Sequence, residues 1–182
     1  MKLICIRHTK VAVPAGICYG QTDVPLAQSY PAEQLAVLQQ LPEGKFDAVF
    51  SSPLQRCRLL AGDLFAANEI ILDDRLKELD FGDWENRSWD EISQTSKAKA
   101  WFEDFVSVKC PNGEAFTDLM NRTAAFLDEL RLKDYARVAI VTHGGILRSL
   151  DCLLKRTAPL DAFQTKFDFG QVVSFNLETG VA

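Results

Sequence analysis

Residues 137–145 read RVAIVTHGG, a strand-forming run that ends in a histidine and two glycines. Its consecutive apolar residues are typical of a strand that is buried on both faces of a sheet, and we expect a helix after Gly145. The chain contains one other histidine, His8, and it follows a similar run, KLICI (2–6) and Arg7. Both histidines therefore stand where an apolar strand gives way to a turn, a position in which packing alone does not require imidazole.

The alternation of strand and helix continues along the whole chain. Strand-like runs are found at 2–6, 46–50, 69–72, 137–142 and 172–177. Helical spacing of apolar residues is found at 31–41, 53–66 and 113–131. This order predicts an α/β fold, a three-layer α/β/α sandwich with a mostly parallel sheet. We expect a single domain over 1–182, in which residues 80–112 form an insertion of loops and short helices over one edge of the sheet.

Composition excludes some classes of function. The 182 residues carry 20 basic and 25 acidic side chains, and this net charge of -5 argues against a nucleic-acid partner. An odd number of cysteines without a C-x-x-C pair indicates free thiols in a reducing compartment. The thiols are Cys5, Cys18, Cys57, Cys110 and Cys152. With no leader-like start and no apolar run of about 20 residues, we expect a cytoplasmic protein without a membrane partner, its oligomeric state left open.

A third strand end leads into SSPLQRC (51–57). Here Ser52 is expected as the N-cap of a helix, Pro53 as its first residue, and Arg56 within its first turn. In open α/β sheets, ligands bind beyond the carboxyl ends of the strands, and helix N-termini attract anions. Because guanidinium groups match phosphoryl oxygens, Arg7, Arg56 and the two histidines predict a phosphate pocket.

The neighbouring cations disfavour imidazolium, so one histidine can stay neutral and nucleophilic. A phosphohistidine intermediate is then a reasonable expectation. Each residue alone has a plainer interpretation, since single histidines at strand ends are usually structural and single arginines are usually solvated charges.

Four motifs resemble, in order and spacing, those of the histidine phosphatase superfamily, the phosphoglycerate mutase-like proteins. They are IRHT (6–9), SSPLQRC (51–57), KELDFGDWE (77–85) and VTHGG (141–145). The resemblance runs from residue 3 to about 177. It implies that His8 is the phosphorylated nucleophile and that Glu78 is the proton donor to the leaving group. It also implies that Arg7, Arg56 and His143 hold the phosphoryl group. No cofactor or metal is expected, because two arginines already supply the charge that a metal would; Glu85 is the alternative to Glu78, as a structural carboxylate.

The stretch GICYGQTDVPL (16–26) is similar to the α-ribazole phosphatase branch of the family. That resemblance implies that Tyr19, Gly20, Gln21 and Thr22 line the substrate mouth. Two residues depart from the wider pattern: Thr9 replaces a common glycine, and Ala115 replaces a common serine.

The sequence thus predicts a phosphomonoesterase of small molecules. The expected substrate is α-ribazole 5'-phosphate or cobalamin 5'-phosphate, from cobalamin synthesis. The alternatives are a phosphoglycerate mutase, a broad small-molecule (sugar) phosphatase, and a non-catalytic module that binds phosphorylated ligands.

Overall fold

A computed structural model describes residues 1–178. Its centre is a five-stranded sheet of order β3-β2-β4-β1-β5. The strands are β1 (Lys2–Arg7), β2 (Ala48–Ser51), β3 (Ile70–Leu72), β4 (Arg137–Thr142) and β5 (Val172–Asn176). Only β5 runs antiparallel, beside β1, and the other pairs are parallel. The predicted mostly parallel sheet is therefore confirmed, and each predicted strand is present.

Seven α-helices are described within residues 1–178. They are α1 (Tyr30–Leu38), α2 (Gln55–Leu64), α3 (Trp89–Ser93), α4 (Ser96–Glu103), α5 (Phe116–Arg131), α6 (Gly144–Lys155) and α7 (Pro159–Gln164). One apolar cluster joins α1 and α2 to one face of the sheet, and a larger one joins α5 and α6 to the other. Two packed faces make the three layers that the alternating pattern predicts. No helix of this described part is both long and apolar enough to cross a membrane.

The apolar stripes predicted for three helices have different outcomes. On α5, Phe116, Leu119 and Phe126 are buried as expected, and on α2 the same holds for Cys57 and Leu60. The spacing of Leu35, Leu38 and Leu41 predicted a helix that is present as α1, but Leu35 and Leu38 are 57% and 45% exposed, and Val37 is the buried residue of that helix. Val37 instead packs in one apolar cluster with Cys57 and Leu60 of α2.

Residues 80–112 contain a 3₁₀ turn (Gly82–Trp84) and the short helices α3 and α4. Their aromatic side chains pack on one another: the Trp84 and Trp101 rings meet edge to face at 5.7 Å, and Trp89 stacks on Trp101 at 6.0 Å. This group continues through Phe105 to Phe163 of α7, with ring centroids 4.0 Å apart. The segment is thereby attached to the core beside α5 and α6 and flanks the carboxyl ends of the strands.

Candidate active site

The two histidines lie together at the carboxyl edge of the sheet. Arg7 and Thr142 are paired at the ends of the neighbouring strands β1 and β4, so the residues that follow them, His8 and His143, emerge side by side. Their ring centroids are 5.1 Å apart, and both side chains are buried. The carboxyl-end placement that the sequence predicted is confirmed.

The ring of His8 is held in one tautomer. Its Nδ1 lies 2.7 Å from the carbonyl oxygen of Thr9. Because a carbonyl oxygen can only accept, Nδ1 carries the hydrogen and Nε2 keeps a free lone pair. Burial and, next, the positive charge of Arg56 hold the pKa of His8 well below its ordinary value. At neutral pH the ring is thus an uncharged base with Nε2 as its nucleophilic atom.

The second histidine is anchored differently. Nε2 of His143 lies 2.8 Å from Oγ of Ser52 and 3.4 Å from Sγ of Cys57. Burial, followed by the charge of Arg56, lowers the pKa of His143 well below its usual value as well. The site therefore holds two neutral imidazoles among fixed positive charges.

The prediction that Ser52 caps α2 and Pro53 is its first residue is wrong. Neither Ser52 nor Pro53 starts the helix, which begins at Gln55. The side chain of Ser52 is turned to His143, and its contact with the N–H of Leu54 is long, at 3.4 Å. Oδ1 of Asp23 instead accepts from the N–H of Gln55 at 2.7 Å, so a residue distant in sequence supplies the cap.

Arg56 does lie in the first turn of α2, as predicted, and its side chain is fully buried. Its Nη2 and Nη1 donate to the carbonyl oxygens of Gly20 and Thr22 at 2.6 and 3.0 Å. Its Nε–H has no acceptor. Arg56 therefore ties loop 16–26 to the sheet edge and leaves its buried Nε–H for an anion.

The other predicted arginine shows the same arrangement. Nη1 of Arg7 donates to the carbonyl oxygen of Phe167 at 2.5 Å, and its guanidinium lies 4.0 Å from the ring centroid of Phe169. Its Nε–H is buried without an acceptor too. A buried N–H without an acceptor is costly, and a phosphoryl oxygen would satisfy both.

Glu78 reaches the same edge from the loop that follows β3. Its Oε1 accepts from the N–H groups of Gly145 and Leu79, both at 3.0 Å. A Cβ at position 145 would overlap that carboxylate, so glycine there allows the close approach of α6. The carboxylate is thereby fixed at the start of the helix that follows His143.

Glu85 points elsewhere and holds backbone. It accepts from the N–H groups of Gln21, Thr22 and Phe81 at 2.8, 2.6 and 3.2 Å, and from the hydroxyl of Thr22. Of the other residues expected at the mouth, Tyr19 places its ring centroid 5.5 Å from Cζ of Arg56. Glu85 thus clamps the loop that carries them.

Two arginines near the site were missed by sequence reasoning. Arg122 of α5 donates to the carbonyl oxygens of Lys77 and Glu78 at 2.6 and 2.8 Å, and it also binds the carboxylate of Glu114. Arg148 of α6 lies beside Arg7: a Cβ on Gly144 would be 3.2 Å from Nη1 of Arg148 and 3.5 Å from Cζ of Arg7. The spacing of four residues from Gly144 to Arg148 is a signal that could have found the second, since it places both on one helix face.

Comparison with known proteins agrees with this arrangement. A family model described as histidine phosphatase superfamily (branch 1) matches residues 3–181. The chain belongs to the histidine phosphatase superfamily. It is a phosphatase, a phosphoric monoester hydrolase, like the homologues that are named phosphatases.

Several named proteins are similar to it. Phosphoserine phosphatase 1 of Hydrogenobacter thermophilus is 29% identical over 160 residues, which cover 85% of this chain and 76% of that protein. Adenosylcobalamin/alpha-ribazole phosphatase of Escherichia coli K12 is 31% identical over 159 residues, covering 82% and 77%. The structure of the alpha-ribazole phosphatase from Shigella flexneri matches with a TM-score of 0.88 at 24% identity, over 99% of this chain and 96% of that one. This likeness shows the phosphoglycerate mutase-like α/β fold.

Proposed function

We propose that this chain hydrolyses small phosphomonoesters through a phosphohistidine on Nε2 of His8. The observation that carries the proposal is the bond from Nδ1 of His8 to the carbonyl oxygen of Thr9, at 2.7 Å, in a buried ring. That bond leaves Nε2 unprotonated, and the low pKa of His8 keeps the ring neutral at the pH of the cell. A neutral, oriented imidazole is the form that can attack phosphorus.

The phosphoryl group would be held by positive charge. Arg7 and Arg56 each offer a buried Nε–H, and His143 lies beside the ring of His8. Phosphoryl transfer depends mainly on positioning and on stabilising the charge of the equatorial oxygens, which this set supplies without a metal.

Glu78 would move the proton. As the bond from Nε2 to phosphorus forms and the ester P–O bond breaks, Glu78 protonates the departing oxygen. The resulting carboxylate then takes a proton from water, whose oxygen attacks phosphorus, breaks the N–P bond and releases inorganic phosphate. One carboxyl group thus serves as acid and then as base.

The first candidate substrate is α-ribazole 5'-phosphate or cobalamin 5'-phosphate. Its support is the similarity of residues 16–26 to that branch, together with the 31% identity to the adenosylcobalamin/alpha-ribazole phosphatase of Escherichia coli. A second candidate is a compact ester such as phosphoserine. A specific observation favours it: Arg148 adds a positive charge near Glu78, where the leaving group would lie.

The test is phosphate release from a panel of α-ribazole 5'-phosphate, phosphoserine, 3-phosphoglycerate and sugar phosphates. We expect turnover by the wild type and none by His8→Ala, because that variant has no nucleophile. Retained binding of inorganic phosphate by His8→Ala would show that the pocket is still folded. Substantial turnover by His8→Ala would refute the covalent route, and phosphate binding without turnover in the wild type would favour a binding module.

A further inference from the structure

We propose that Arg148 and Trp101 form a subsite for a carboxylate at the far end of a compact leaving group. This subsite rests on the proposed function, because it assumes that Glu78 faces the leaving oxygen. It favours the second candidate substrate over the first.

The subsite is a small cavity beside the catalytic carboxylate. Its volume is about 80 Å³. Its lining is Glu78, Leu79, Phe81, Trp101, Phe116, Leu119, Gly145, Arg148 and Phe163. Most of these residues are aromatic or aliphatic, and Trp101 and Arg148 add two side chains that carry nitrogen donors, a combination typical of sites that orient a small organic ligand.

Both donors lack an acceptor. Trp101 is only 8% exposed, and its indole N–H makes no hydrogen bond. The Nε–H of Arg148 is buried without a partner, and within residues 1–178 its guanidinium has no carboxylate in ion-pair distance. Phe163 lies under it, with 5.2 Å from Cζ to the ring centroid, and fixes it at the wall. A carboxylate has the charge and the lone pairs to satisfy both donors.

The geometry of the reaction directs the leaving group to this place. In-line attack by His8 puts the departing oxygen on the far side of phosphorus, where Glu78 must reach it. Glu78 is also in the wall of the cavity, so atoms beyond that oxygen enter it. Pockets that enclose drug-sized ligands measure roughly 300–1,000 Å³, so this one has room for a few heavy atoms and is too small to enclose a nucleoside base.

A matched pair of substrates tests the subsite. O-phosphoserine and O-phosphoethanolamine differ only in the carboxylate. We expect the wild type to prefer phosphoserine in kcat/KM, and Arg148→Met to lower that preference roughly 10- to 100-fold, the usual scale for a lost charge-assisted hydrogen bond. Trp101→Phe should lower the preference by about 3- to 10-fold, because a neutral donor contributes less.

Other outcomes would overturn the subsite. An unchanged ratio in Arg148→Met, with both substrates slowed alike, would mean that Arg148 binds the phosphoryl group. A wild type that hydrolyses α-ribazole 5'-phosphate faster than phosphoserine would also contradict it. If the proposed function is wrong, no substrate will leave a phosphoryl group on His8. If His8 is phosphorylated but the enzyme shows no preference for the substrate with the carboxylate, only the subsite is overturned. Thermal melting of each variant checks that it is folded.

Discussion

The two halves of the active site are held by different forces. The half that would bind the phosphoryl group, the phosphoryl half, continues the hydrogen bonding of the sheet. The N–H of His8 donates to the carbonyl oxygen of Thr142, and the N–H of Ser52 donates to the carbonyl oxygen of Val141, both at 3.0 Å. The leaving-group half is fixed by single side chains: Glu85 accepts from backbone N–H groups of loop 16–26, and Arg122 donates to the carbonyl oxygens of Lys77 and Glu78. The hydrogen bonds of a sheet are distributed over many residues. We therefore expect the structure of the phosphoryl half to tolerate single substitutions and that of the leaving-group half to be sensitive to them.

Within the leaving-group half, the largest effect should come from Glu78→Gln. The amide cannot protonate the leaving oxygen, so we expect hydrolysis of an alkyl phosphate to fall by about 100-fold or more, the usual scale of general acid catalysis. A good leaving group needs no proton, so phosphoenzyme formation from p-nitrophenyl phosphate should be nearly spared. Rapid-quench rates of phosphoenzyme formation with both substrates measure the difference.

Glu85→Gln is the matched control for that experiment, since it changes a neighbouring carboxylate that faces loop 16–26. Selective loss of the alkyl substrate in Glu85→Gln, or equal losses on both substrates in Glu78→Gln, would show that the acid is misassigned.

The same Glu85→Gln variant should be less stable than the wild type. One amide oxygen cannot accept from the donors that now share two carboxylate oxygens, and each unsatisfied buried donor costs about 1–3 kcal/mol. We expect the free energy of unfolding in urea to fall by about that amount. Glu103→Gln, at an exposed position on α4, is the control and should change little. Equal stability of Glu85→Gln and Glu103→Gln would show that Glu85 does not hold loop 16–26 in place.

The buried neutral histidines of the phosphoryl half should make the free energy of unfolding depend on pH. Since the folded pKa values of His8 and His143 lie well below 6.5, the unfolded chain binds protons first as pH falls. Stability from these rings is full above pH 6.5 and is lost below it, by about 1.4 kcal/mol per pH unit for each histidine. Urea unfolding between pH 7 and 5 should show this slope, and His8→Asn should remove about half of it. An identical slope in His8→Asn would contradict the buried neutral state.

The smallest effect should be that of a chelator. Arg7 and Arg56 supply the positive charge around the phosphoryl group, so we expect EDTA to leave the rate of phosphate release unchanged. Loss of activity that magnesium or zinc restores would show that the arginines are insufficient.

The phosphoryl half was also the part that the sequence could predict. The apolar runs before His8 and His143 define buried parallel strands, and the carboxyl ends of such strands share one edge, so their side chains had to meet. Arg56 was predicted at the same edge of the sheet, because a helix starts soon after β2 and Arg56 lies in its first turn.

What failed depends on contacts distant in sequence. The N-cap expected at Ser52 is supplied by Asp23, since Ser52 binds His143 instead. Arg122 carries no local signature on α5, and only the packing of that helix brings it to the backbone of Lys77 and Glu78. For Arg148 the spacing of four residues from Gly144 is the one local signal. Contacts of side chains with distant backbone and distant side chains leave no local periodicity in the sequence, which is why these details could not be predicted.

The central claim is that Nε2 of His8 takes the phosphoryl group while Nδ1 stays bound to Thr9. The most direct measurement is phosphorus NMR of the phosphoenzyme, trapped without acid and labelled with ¹⁵N-histidine, because the couplings distinguish the two ring nitrogens. We predict phosphate on Nε2 of His8, in an adduct that acid destroys. Phosphate on Nδ1, phosphate on His143, or an acid-stable ester would contradict the account.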